Sequence, residues 1–295
     1  MKNSKRHIAI IMTISFLITS CGINNESESV YEEAEVELSS IVEDMEEITT
    51  LETVTVETSL DEQSEPAQDG DYIIFGHYEQ DGDESNGPEP IEWEVVSEEE
   101  GRILLISRFI LDCQPYNTED AEVTWESCSL REWLNNDFYN AAFDESEQNQ
   151  ILTVILSNPD NAEFETEGGN DTEDKVFCLS VEEIFDNYEY DFWDGEYGYF
   201  QELVTEVTQY AIDQGVFNKL ITSEYYTDYW ESLGYTEDTV GLNCGFWWLR
   251  SPGDNNEYAA YGGYDGSVGW GLFGSALVSE AYGVRPAIYL NVPER

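Results

Sequence analysis

Histidine is nearly absent from this chain: His7 and His77 are the two in 295 residues. His7 falls in an apolar leader, so His77 alone remains for acid–base work near neutral pH. No G-x-S-x-G, H-E-x-x-H or P-loop spacing occurs. Carboxylates are abundant, 64 Asp and Glu against 11 Lys and Arg. A pair of them could carry glycoside hydrolysis, as in a cell-wall or glycan-acting hydrolase. Chance pairs are expected in so acidic a chain, so the count selects none, and no catalytic residue is assigned. Asp81-Gly-Asp83-Glu-Ser-Asn86 spaces oxygen ligands as calcium loops do, but lacks the closing glutamate and flanking helices of an EF-hand. It reads better as a polar turn between strands, with calcium the one cofactor the sequence suggests at all. Cys113, Cys128, Cys178 and Cys244 are an even set in an exported chain and point to two disulfides. Of the three pairings, Cys113–Cys128 with Cys178–Cys244 is favoured; four unpaired thiols are the alternative. No C-x-x-C or histidine partner supports a metal site.

Residues 254–274 differ in character. Asp254, Asn255, Asn256, Tyr258, Tyr261, Tyr264, Trp270 and Phe273 sit among glycines. Aromatic rings give large contact area at low entropy cost, and short polar residues give adaptable hydrogen bonds. These eight form the candidate ligand face for a protein or glycan. A glycine-rich β-region whose tyrosines simply pack is the competing reading. On either side lie Trp247-Trp-Leu-Arg-Ser-Pro-Gly253 and Gly283-Val-Arg-Pro-Ala287. Arg250 and Arg285 stand there among apolar and turn residues, so carboxylates or carbonyls must pin them. Trp247, Trp248 and Val284 are read as core.

The elements that must position these residues are legible in part. Tyr72–Phe75, Ile91–Val96 and Arg102–Ser107 alternate as strands of an antiparallel meander. Ala287–Leu290 is a fourth strand, placing both ends of the domain in one sheet. Ser129 with Glu132 and Ser180 with Glu183 are capping-box signals for short helices, and Asp144 and Glu147 start another that carries Ile151 and Leu152. Phe200, Leu203, Val204, Val207 and Ala211 predict a helix over 200–212, stopped by Gly215. The last fifty residues, rich in Gly, Tyr, Trp and Asn, read as irregular. The fold class is α+β, with an antiparallel sheet, helices in the middle and a long irregular C-terminal region.

All eight Trp lie beyond residue 69, which sets a globular domain at 69–295. Residues 22–68 hold fifteen acidic residues and no basic one, the composition of a disordered acidic tether. Lys2, Lys5 and Arg6 precede an apolar run, Ile8 to Ile18, too short to span a bilayer comfortably. Removing residues 1–21 leaves 8 basic residues against 64 acidic ones. Such a field repels nucleic acid and favours neutral or cationic partners.

Ile18-Thr-Ser-Cys21-Gly22 resembles the lipobox of bacterial lipoproteins. That resemblance implies a signal peptide over 1–21, lipid on Cys21, and a chain anchored to the membrane on its extracellular face. Further on, Gly70-Asp-Tyr-Ile-Ile-Phe-Gly76, Pro90-Ile-Glu-Trp93, Cys113-Gln-Pro-Tyr-Asn117 and Ser129-Leu-Arg-Glu-Trp-Leu-Asn135 precede the two arginine segments. In order and spacing they resemble a domain family of unknown function, common in surface proteins of Gram-positive bacteria. The resemblance implies a C-type-lectin-like domain, distantly similar to the formylglycine-generating-enzyme shape, without that enzyme's catalytic cysteine pair. It also implies that 254–274 is a ligand face, diversified by retroelements in some lectin-like proteins. The expected function is therefore a displayed, non-catalytic binding module for an extracellular protein or glycan. A hydrolase and a purely structural envelope protein are the other classes kept open.

Overall fold

A computed structural model describes residues 72–99, 101–193, 197–269 and 274–291. The leader with Cys21, the acidic stretch 22–68, Trp270 and Phe273 lie outside the described residues. Alternating residues open the fold as a meander of β1 (Tyr72–Tyr78), β2 (Glu89–Glu99) and β3 (Arg102–Ser107). In β2, Ile91 and Trp93 are buried while Glu92 and Glu94 take the other face, the period of two a strand imposes. β3 is buried at five successive positions, as befits a strand covered on both faces. The chain leaves this sheet through β4 (Asp112–Pro115).

Helices follow. α1 (Ser129–Trp133) runs through a π-helical stretch (Leu134–Phe138) into α2 (Tyr139–Ala142), burying Leu130, Leu134 and Phe138. The cap is one residue earlier than the sequence predicts: the Cys128 thiol accepts from Arg131 N at 3.4 Å. Ser129 is already helical, and its Oγ accepts from Thr118 N instead. α3 (Glu145–Gln148) starts on a capping box of Asp144 and Glu147 but does not reach Ile151 and Leu152 as expected, because those residues pair with Leu290 and Tyr289 instead. Next come β5 (Val154–Leu156), β6 (Thr172–Asp174) and β7 (Val176–Phe177). α4 (Val181–Asn187) carries the expected box of Ser180 and Glu183.

After β8 (Phe192–Trp193) and β9 (Tyr197–Tyr199), the predicted 200–212 helix is broken. Gln201–Leu203 is a single 3₁₀ turn, and Glu206 and Val207 bridge to Cys244 and Ile110. Only then does Thr208 cap α5 (Gln209–Gln214), which ends on Gly215 at φ 109°. The apolar spacing is real, but long-range pairing captures the middle of it. β10 (Asn218–Leu220) and α6 (Ser223–Asp228) complete the central region.

The C-terminal fifty residues are not irregular. After β11 (Asn243–Gly245) they hold β12 (Trp247–Pro252), β13 (Tyr258–Gly262), β14 (Ser267–Gly269), β15 (Ser275–Leu277), β16 (Ala281–Val284) and β17 (Ala287–Asn291). Alternation fails to show because β12 is buried at all six positions and its register against β13 shifts after Trp248.

The order of the first sheet is β1-β2-β3-β17-β7, so the first and last strands share one sheet as expected, with β2 and β3 between them. The second is β15-β13-β12-β16-β4. Among the described residues every named strand pairing is antiparallel except β12 with β16, where Trp247 pairs Gly283. The fold is thus mixed α+β, mostly strands, with a few short helices. One large core joins both sheets and the helices. A smaller one, Ile221, Trp230, Leu233, Tyr235 and Cys244, is built largely by the tyrosine-rich segment 186–240.

Arg250 and Arg285 lock these layers as expected. Arg250 is 4% exposed; its guanidinium meets both Glu183 carboxylate oxygens, at 2.8 Å from Nη2, and donates to the Cys178 and Ser157 carbonyls. Arg285 is fully buried and joins Ser107 O at 2.8 Å and Glu94 Oε2 at 2.7 Å. Arg250 therefore ties β12 to α4, and Arg285 ties the β16–β17 connection to β2 and β3.

Candidate functional site

The predicted ligand face divides. In β13, Tyr258, Ala259 and Ala260 pair in regular register with Leu277, Ala276 and Ser275. Tyr258 and Tyr261, three positions apart, therefore project to opposite sides. Residues 254–257 form the turn into β13, with Asn255 exposed and Asp254, Asn256 and Tyr258 half-buried. Asn255 Oδ1 caps its own turn by accepting from Glu257 N at 2.9 Å. Asn256 donates to Glu167 O and accepts from Val123 N, anchoring the loop. Asp254 is half-buried, with Oδ1 buried and lacking a hydrogen-bond partner.

The other side is a continuous set of rings. Phe246 follows β11 directly and is the hub. Its ring lies 5.2 Å from Tyr261, 5.2 Å from Tyr264, 5.9 Å from Tyr282 and 5.6 Å from Phe217. Tyr261 stacks on Tyr282 at 5.4 Å with 22° between planes. Tyr282 lies 4.8 Å from Trp248, which anchors the set to the core through Nε1 to Gln114 O. Tyr261, Tyr264, Tyr282 and Phe246 are half-buried, and Phe217 is 62% exposed. At one end Lys219 sits 3.4 Å from the Tyr225 ring centroid and 4.8 Å from that of Tyr264. Burial raises the Tyr261 phenol to about 12, with the neighbouring Tyr282 adding to it. Burial also pushes Tyr264 well up, so both phenols stay protonated at neutral pH.

Of the eight residues read from the sequence, Tyr261 and Tyr264 belong to this face. Asp254, Asn255, Asn256 and Tyr258 do not, and Trp270 and Phe273 lie outside the described residues. Phe217, Lys219, Tyr225, Phe246 and Tyr282 were missed. Tyr282 and Phe246 flank the two arginine segments and were hidden by that proximity to obvious core. Phe217, Lys219 and Tyr225 come from the unassigned segment 186–240, which only folding brings alongside.

The remaining chemistry is otherwise committed. All four cysteines in the domain are free and buried, so the expected Cys113–Cys128 and Cys178–Cys244 bridges are not formed. Cys113 lies on β4, Cys128 caps α1, and Cys244 belongs to the smaller core, so each is occupied in packing. Burial raises Cys113 to about 11, helped by Asp112, and Cys128 and Cys244 to about 12. His77 is exposed on β1. In the calcium-like loop Asp83 Oδ1 accepts from Ser85 N and Oγ, and Asn86 donates to Asp81 Oδ2, the bonding of a polar turn. Asp81 instead comes within 4.8 Å of Glu79 and Glu89. A cleft of about 220 Å³ is lined by Arg102, Ser180, Glu182, Asp186, Arg250 and Tyr289, among others. Glu183 at its floor is spent on Arg250 and on Ser180 N, leaving Glu182 and Asp186 as its other carboxylates.

Fold and site define a strand-rich α+β domain whose distinguishing surface is a sheet-borne aromatic face. Residues 100–292 match the family model described as domain of unknown function DUF6273, and the chain belongs to that family. No curated protein and no solved structure matches the chain.

Proposed function

We propose that this chain is a lipid-anchored surface protein whose domain is a non-catalytic binding module for an extracellular protein or glycan. The ring face of Phe217, Phe246, Tyr261, Tyr264 and Tyr282 carries this reading, because large rings held rigidly at a surface bind with little entropy loss. Cys21 takes the lipid, the acidic stretch 22–68 gives reach, and the face points to solvent outside the cell. Among the described residues no helix is long and apolar enough to cross a membrane. A C-type-lectin-like shape is supported by the first and last strands sharing one antiparallel sheet.

The test compares the chain with Phe217→Ala/Tyr282→Ala on glycan and protein arrays. Loss of every wild-type ligand is expected; ligands retained at equal strength would sink the reading. For the anchor, Cys21→Ser is expected to release the chain from the cell membrane fraction into the medium.

A further inference from the structure

We propose that the partner of the ring face is a polypeptide segment with one large apolar anchor flanked by lysine or arginine. This rests on the reading that the ring face is the contact surface. At the Lys219 end of the face the polar atoms are spent on one another. Tyr225 Oη and Tyr264 Oη are 2.7 Å apart, and Lys219 Nζ lies 3.4 Å from Tyr264 Oη. A sugar needs free donors and acceptors around the ring it stacks on, and unmatched hydroxyls lose affinity. The face instead ends in an apolar projection, Phe217, packed against Phe246 on one side and open on the other. Such aromatic residues are typical anchors of protein interfaces.

Charge selects the rim. The five described arginines are all ion-paired, and Lys175 and Lys219 lie over tyrosine rings. Every described cation is thus held by the chain itself. Glu280 is exposed two residues from Tyr282, and acidic residues outnumber basic ones 64 to 11. This surface steers a basic segment inward and repels an acidic one.

Panning random dodecapeptides against the full chain tests the proposal. Phe217→Ala/Tyr282→Ala serves as the counter-selection, and circular dichroism checks that the variant is folded. Enriched peptides are expected to carry Trp, Phe or Leu between basic residues. They lose about 30-fold in affinity for the variant and about tenfold when salt is raised from about 50 to 500 mM. Enrichment without basic residues, or affinity indifferent to salt, overturns the proposal; if those peptides still fail on the variant, the ring face stands as the contact surface. Binding to a glycan array that the variant loses, with no peptide enriched, also overturns the proposal and keeps the face. Ligands that bind the double variant and Phe217→Asp as well as wild type remove both.

Discussion

Arg250 shows how much one residue holds here. Its fork meets the Glu183 carboxylate inside the domain, and its two Nη atoms also donate to two carbonyls. Removing one partner of a buried pair leaves the other uncompensated. Arg250→Met is therefore expected to lose about 3 kcal/mol in urea unfolding, and Arg250→Lys to recover only part, since an ammonium cannot form the planar fork. The cysteines give a second prediction. Raised pKa values and burial keep Cys113, Cys128 and Cys244 as thiols, so the native chain should resist iodoacetamide near pH 8. Denaturation without reductant should expose all four to alkylation, read as mass increments; fewer would mean a bridge. Asp112 gives a third. Burial raises its pKa above the ordinary 3.8, against hydrogen bonds from Tyr78 Oη at 2.5 Å, Cys113 N and Gln114 Nε2. The folded state then holds the proton more tightly than the unfolded one. That contribution is full below 3.8 and is lost as pH rises through the folded value. Wild type should therefore lose stability relative to Asp112→Asn as pH rises above 3.8, measured by paired unfolding curves.

At the scale of elements, the parallel contact of β12 with β16 depends on close backbone approach. A Cβ on Gly283 would lie 2.5 Å from Ile110 Cγ2 and 2.6 Å from Phe246 O. Backbone cannot yield cheaply, so Gly283→Ala is expected to destabilise by about 1–3 kcal/mol in thermal unfolding. Because Phe246 is the hub of the ring face, the same substitution should also disturb ligand binding. The capping boxes behave differently. Asp144–Glu147 and Ser180–Glu183 form from local bonding alone, which is why the sequence reveals them. The 200–212 segment has equally good local spacing yet breaks, since Glu206 and Val207 satisfy their backbone in strand bridges.

For the molecule as a whole, charge outweighs every other long-range effect. A formal charge of -53 repels itself in the compact state more than in an expanded chain. Screening shortens that repulsion, so the melting temperature should rise steadily with sodium chloride from about 10 to 500 mM. Melting indifferent to salt would show that this repulsion does not limit the stability of the domain.

The sequence by itself determined the meander, the closing strand, three of the short helices and the roles of Arg250 and Arg285, because local period, caps and isolated cations in apolar surroundings are short-range signals. It also supplied Tyr261 and Tyr264. Tertiary structure alone decided that the glycine-rich end is a sheet, since a strand buried on both faces shows no alternation. It decided that the cysteines are unpaired, a matter of where Cβ vectors point and not of spacing. And it assembled the ring face, because Phe217, Phe246 and Tyr282 are far apart in sequence. A two-stranded ribbon of β10 and β11 and the parallel contact at Gly283 bring them together.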